Sequence, residues 1–278
     1  MSSSGAWQKR TRSAEEIAGA SRDAMTRAMR ADAELAIAFA REDAVLLGAF
    51  QRACDGPPGA IVRGTPGGAV RIGPGTLHVM LALTRLDCDE TKILNRHVRP
   101  LLRAIGGRYF GRDWVDLGGH PVAHVGFAHS RATGRTVVEA FVSMRTPLDG
   151  ARATYLGKSP TTLDPADDEK LVAKIIAAYG VPLFEPAPVA PSPADETPWV
   201  ASIDEAIGPI RAGRDASGCM RVGGEFMASF DAIADLEDRL SRAEDVRPAV
   251  DAAFTAPHTA LFGVRSLESF ARAIEAAL

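Results

Sequence analysis

Short apolar or alternating runs at 44–50, 69–72, 77–84, 113–117, 121–128 and 136–144 read as β-strands. Two helical stretches frame them. Ser13-Ala14-Glu15-Glu16 has the form of a capping box, and alanine-rich sequence to Ala40 predicts one long helix, with Leu35, Ile37 and Phe39 near its end. Ile93, Leu94, Val98, Leu101, Leu102 and Ile105 share helical spacing over 89–105, with Pro100 as a kink or restart and Gly106-Gly107 as the stop. Ser130 to Arg135 is the turn of a long hairpin, and Asp164 is placed to cap a helix from Pro165 to Tyr179. Residues 182–198 hold little periodicity and many prolines, the composition of a stiff linker. The division expected is therefore 1–181, a linker at 182–198, and 199–278. The last part offers a strand at Cys219-Met220-Arg221-Val222, then three short helices carrying Leu236 and Leu240, Val250 and Phe254, and Leu267, Phe270 and Ile274.

Composition narrows the classes. A net charge of −3 over 278 residues, with scattered arginines and no interleaved aromatics, argues against a nucleic-acid partner. The sequence has no apolar run long enough to span a bilayer, so no membrane partner is expected. Cys54, Cys88 and Cys219 are odd in number and show no metal-ligand spacing. Cys54 and Cys88 read as small buried hydrophobes, and a cytoplasmic location is expected. His120 and His124 share one strand face, but no third ligand accompanies them. They are a weak metal pair.

The chemistry concentrates in Ile61 to Val79, where an apolar strand meets Gly64-Thr65-Pro66-Gly67-Gly68, a second strand, and Gly73-Pro74-Gly75. Glycines permit close backbone approach, and successive N–H groups in such turns form concavities for anions. The plain alternative is a hairpin connection.

The order of motifs resembles the lipoate–protein ligase family, within the biotin/lipoate ligase superfamily. Gly48-Ala49-Phe50-Gln51 is similar to the family's Gly-x-x-Gln, and Arg63-Gly64-Thr65-Pro66-Gly67-Gly68-Ala69-Val70 to its Arg-Arg-x-Ser-Gly-Gly-Gly-x-Val loop. Gly73-Pro74-Gly75-Thr76-Leu77-His78 stands where the family has Asp-x-Gly-Asn-Leu-Asn, and Gly111-Arg112-Asp113 where it has Gly-Arg-Asn. Gly224-Glu225-Phe226 resembles the Gly-Asp-Phe motif of the accessory domain. The resemblance implies an α+β fold: a biotin/lipoate ligase-like catalytic domain with a central, largely antiparallel sheet, followed by a small α+β accessory domain.

It also implies an activity. Lipoate or octanoate would be activated by ATP and Mg²⁺ as an acyl-adenylate, then transferred to a lysine of a lipoyl-carrier domain. Arg63, Gly67, Gly68, Ala69, Val70, Thr76, His78, Arg112 and Asp113 would hold the adenylate, with Asp113 also toward the metal. Departures are equally specific. Gly64 replaces the second loop arginine, Pro66 the serine and Gly73 the aspartate, while the family's hairpin lysine aligns with Pro121. Loss of one preorganised donor costs about 10²–10³ in rate, and a cation more. Lys158 and His120 are the candidate replacements, because both lie close to the hairpin in sequence. Two classes stay open: an ATP-dependent acyl ligase, and a non-catalytic protein of the same fold that binds a small acyl ligand, a lipoyl-carrier domain or a partner ligase subunit.

Overall fold

The computed structural model describes residues 9–85, 88–109, 113–148, 158–192, 195–205 and 208–278. The chain opens with β1 (Thr11–Arg12) and α1 (Ala14–Thr26). Ser13 accepts the Glu16 N–H and Glu16 accepts that of Ser13, so the capping box forms as read. The long helix does not. Arg27 is already extended, and Ala33–Ala40 is strand β2. Leu35, Ile37 and Phe39 alternate onto the main core, while Ala36, Ala38 and Ala40 are buried on the other face; Ala36 packs with Ala20 and Ala24 of α1. Small residues are needed there because a helix lies across the sheet, so a period of two was hidden inside an alanine-rich composition.

Strands β3 (Ala44–Leu47), β4 (Ile61–Val62) and β5 (Val70–Ile72) form a small sheet of their own, with β3 central. Next come β6 (Thr76–Leu83), α2 (Ile93–Ile105), β7 (Arg108–Tyr109), β8 (Trp114–Leu117), β9 (His120–His129) and β10 (Thr136–Ser143). The main sheet has the order β1-β2-β6-β10-β9-β8-β7, antiparallel except for β1 beside β2. Helix α2 runs through Pro100 and stops at Gly106, whose φ of 76° suits glycine. It buries Ile93, Leu94, Val98 and Leu101 on the core face of the sheet. Helix α3 (Asp168–Tyr179) packs beside it through Val172 and Ile175. Its cap is Asp167, which accepts the Lys170 N–H at 3.0 Å, and not Asp164. Asp164 instead turns the chain with a φ of 41° three residues earlier.

The proline-rich stretch is extended and docked. Leu35 donates to the Pro182 carbonyl and accepts from Phe184 N–H, both at 2.9 Å, while Ala187 N–H reaches Asp23 on α1. Arg22 donates to the Ala190 carbonyl, and Ala53 N–H to that of Asp195.

Beyond it, β11 (Ala201–Asp204), β12 (Pro209–Arg214) and β13 (Met220–Gly224) form an antiparallel sheet. Then β14 (Met227–Ala228), α4 (Phe230–Ser241), α5 (Val246–Thr255), β15 (Leu261–Phe262) and α6 (Leu267–Glu275) follow. This part has its own core, built on Phe226, Leu236, Val250, Phe270 and Ile274. Phe226 meets Phe270 edge-on at 4.7 Å and stacks on Phe50 of the N-terminal part at 5.3 Å. Phe226→Ala is expected to cost about 3–5 kcal/mol, read as a lowered midpoint in urea unfolding. An unchanged midpoint would mean that the junction contributes nothing to stability.

Candidate functional site

Gly48 N–H donates to Gln51 Oε1 at 2.6 Å, which closes the Gly-x-x-Gln turn after β3. A Cβ at Gly48 would overlap the Gly67 carbonyl, so the turn and the glycine loop can meet only at a residue without a side chain. Arg63 N–H donates to Leu47 and Ala49 N–H to Thr65, lacing the two segments together. Phe127 N–H joins the loop to β9 through the Pro66 carbonyl. Gly67 sits at a φ of 125°, a region that side chains avoid.

Beneath the loop lies a buried charge cluster. Arg63 is fully buried; Nε lies 2.9 Å from Glu139 Oε1 and donates to Thr65 Oγ1 at 3.0 Å, and Nη1 donates to the Gly68 carbonyl at 3.0 Å. Glu139, from β10, also accepts the Thr65 hydroxyl and lies 3.1 Å from His78 Nε2 on β6. His78 stacks on Phe141. Burial pushes the Glu139 carboxyl up, but the His78 hydrogen bond, the Arg63 charge and Thr65 together hold it below the usual range. Burial draws Arg63 down against the pull of Glu139, yet a guanidinium stays charged at neutral pH. One donor is left over: Arg63 Nη2 is buried with no partner, 3.0 Å from where a Gly67 Cβ would stand.

A second group of side chains meets Gly68. A Cβ there would lie 2.8 Å from Asp113 Oδ2, 3.3 Å from His124 Cε1 and 3.5 Å from Glu225 Oε2. His124 Nε2 is 3.2 Å from Asp113 Oδ2. Burial, and then the Arg63 charge, push His124 down to about 3, so the ring is neutral.

The structure thus gathers Arg63, Gly67, Gly68, His78 and Asp113 in one region. Val70 opens β5 of the small sheet, and the side chains of Ala69 and Val70 are buried in apolar clusters there. Thr76 stands two residues before His78 on β6, its hydroxyl accepting Gly73 N–H at 3.1 Å to close the preceding turn. Lys158 is exposed, with Nζ 2.5 Å from where a Gly119 Cβ would stand, and exposed His120 lies 3.0 Å from the Ser159 carbonyl through Nδ1. His120 is four residues along β9 from His124, about 13 Å. Neither candidate cation is brought to the glycine loop. Arg112 lies outside the described residues.

The residue of β9 that faces Gly68 is His124, three positions beyond Pro121, where the sequence placed the family's lysine. Glu139 and Glu225 were also missed. Glu139 had a signal, a lone charge inside the apolar run Thr136 to Ser143. Cys54 is exposed and Cys88 half-buried, so neither is the buried hydrophobe expected. Among the described residues, no group of three or more His, Cys, Asp or Glu side chains is placed to hold a metal ion, and no helix is long and apolar enough to cross a membrane.

No family model matches the chain, and no curated protein matches it in sequence. Solved structures do match in fold. The crystal structure of lipoate-protein ligase A bound with ATP superposes with a TM-score of 0.51 at 15% identity, over 64% of this chain and 88% of that one. That of P. falciparum LipL1 in complex with lipoate gives 0.51 at 12% identity, over 86% of each chain. The fold is that of the biotin/lipoate protein ligases, with the mixed α+β architecture and largely antiparallel central sheet expected from the sequence.

Proposed function

We propose that this chain uses the lipoate ligase fold to hold a small acyl acid, or the carrier that bears it, without activating the acid through ATP. The observation that carries this reading is the charge around Gly68: Asp113 and Glu225 carboxylates with a neutral His124, while Arg63 is already paired with Glu139.

The fold's ligands can be tested against these residues. A monocarboxylate fits. Its oxygen, placed in the space left by Gly67, would accept from Arg63 Nη2, with Met227 beside the same space. Met227 supplies an apolar wall. A triphosphate meets an unfavourable charge. Like charges about 4 Å apart at an effective dielectric near 20 repel by about 4 kcal/mol, and two carboxylates face the turn. Mg²⁺ arriving with a nucleotide needs only one or two protein carboxylates and would relieve that repulsion; among the described residues no group of three or more donors is assembled for a metal of the protein's own. Asp113 is instead engaged with His124. No adenylation step is derived for these residues.

The acyl-ligase reading keeps one observation in its favour. The segment bearing Lys158 is tied to β9 by Thr161 N–H to the Pro121 carbonyl, so an amine stands at the mouth of the hairpin where the family's lysine was sought. A lipoyl-carrier domain or a partner ligase subunit is the macromolecular partner under either reading.

Two measurements separate them. Titration calorimetry with lipoate and octanoate is expected to show binding without nucleotide. ATP–pyrophosphate exchange with either acid and Mg²⁺ is expected to stay at background. Exchange above background, abolished by Lys158→Ala, would replace this reading with the ligase.

A further inference from the structure

The outer face of α2 carries charge of one sign. Lys92, Arg96, Arg99 and Arg103 are exposed, and their spacing sets them within about 60° of one another around the helix. They run about 16 Å along it. The opposite face packs Ile93, Leu94, Val98 and Leu101 on the sheet, so the cations are held outward. Helix α3, beside it, adds exposed Lys170 and Lys174. Arginines that look scattered in the sequence are thus aligned by the fold.

This pattern destabilises its own helix. Like charges three and four residues apart repel, and cations at a helix N-terminus oppose its dipole. Helices α1, α3, α4 and α6 each place an acidic residue in the first turn. Helix α2 has none there, nor anywhere along Ile93–Ile105. Nearby carboxylates do little to offset the charge. Asp89 reaches Lys92 only at 3.8 Å, Glu90 meets His258 at 2.6 Å, and Asp168 meets Arg145 at 2.9 Å. Arg99 bonds to Asn95 on its own helix, and among the described residues neither it nor Arg103 has an ion-pair partner. A face of one sign, kept against the preference of its helix, calls for opposite charge from outside the chain.

The side chains select the kind of anion. A membrane-surface helix sinks an apolar face into the bilayer, but that of α2 is taken up by the core. Single-stranded nucleic acid stacks on aromatic side chains, and α2 holds none. Carboxylates remain, and guanidinium forks match them two oxygens at a time. We infer that the outer face of α2 is a docking surface for a protein partner that presents a row of carboxylates, met by Arg96, Arg99 and Arg103 and flanked by Lys92, Lys170 and Lys174. This surface shares no residue with the Gly67 and Gly68 site.

The test is fluorescence anisotropy of labelled poly-L-glutamate titrated with the full chain. It is run at ionic strengths of about 0.01 M and 0.15 M, where the screening length is about 30 and 8 Å. Binding is expected at the lower salt and should be at least tenfold weaker at the higher. Arg96→Gln with Arg99→Gln and Arg103→Gln should weaken the low-salt binding at least tenfold. Arg30→Gln with Arg41→Gln and Arg71→Gln removes the same charge from exposed positions elsewhere and should stay within twofold. Circular dichroism melting shows whether both variants fold. Absence of binding, or equal loss in the two variants, would overturn the docking surface. Tighter binding of polyuridylate, or of vesicles of equal parts phosphatidylserine and phosphatidylcholine, through the same arginines would overturn the choice of a protein. None of these outcomes bears on the lipoate and octanoate titration, whose ligand meets none of these side chains.

Discussion

Glu139→Ala lowers the unfolding free energy by about 3–5 kcal/mol, because it leaves the fully buried Arg63 guanidinium without its counter-charge. The loss exceeds what the pair contributes in the wild type. Two ions taken out of water lose much of what their attraction returns, whereas one uncompensated ion has no such return. The paired replacement Arg63→Met with Glu139→Leu is therefore expected to recover most of the loss. Urea unfolding followed by circular dichroism gives both numbers. Equal destabilisation in the single and double variants would show that Arg63 acts through its bonds to Gly68 and Leu46, and not through Glu139. His78 would lose its acceptor in either variant, so its Nε2–H becomes the residual cost in the double.

The second large effect is a loss of stability in mild acid that originates at His124. Its folded value, about 3, lies below the ordinary histidine value of 6.5, so the unfolded chain binds the proton more readily. Stability is therefore fully present above about pH 6.5 and falls as the pH drops, by about 1.4 kcal/mol per unit, until the folded ring itself titrates near 3. Between pH 6 and 4.5 that amounts to about 2 kcal/mol. Glu139 is depressed too, so its contribution is lost only as the pH falls below the ordinary glutamate value of 4.5. The two windows overlap below pH 4.5, so of these two groups only His124 acts between pH 6 and 4.5. His124→Gln should reduce the slope of the unfolding free energy between pH 6 and 4.5, with buried His129, also lowered, keeping part of it, and leave the loss below 4.5. An unchanged slope in the variant would mean that the ring titrates normally.

Strands β6, β8, β9 and β10 of the main sheet were legible because each carries its pattern locally, and the hairpin of β9 and β10 falls where alternation put it. Residues 27–40 were not. There alanine made helix the better local choice, and only the packing of α1 across β2 explains why small side chains stand at every second position. The cap of α3 moved by three residues for a local reason, since Asp164 and Asp167 are equally good caps in isolation and the turn takes the first. At the site, Arg63 and the two glycines were readable, being adjacent in sequence. Their partners were not: Glu139 stands 76 positions from Arg63 and Glu225 more than 150 from Gly68, with contacts set by sheet order. Pro121 was singled out by alignment, but the pleat of β9 turns His124 to the loop.

The docked proline-rich segment has a consequence for how the chain is made. Leu35 has its N–H and carbonyl matched by Pro182 and Phe184, and α1 is pinned through Asp23 and Arg22 by residues 187 and 190. The first 40 residues thus leave the ribosome long before their edge is closed. At about 5–20 residues per second, synthesis of the intervening 140 or so takes roughly 7–30 s, during which the border of β2 around Leu35, beyond the reach of β1, is open. For the same reason, a truncation placed at residue 181 would strip the border of its cover, whereas one placed after Asp195 would keep it.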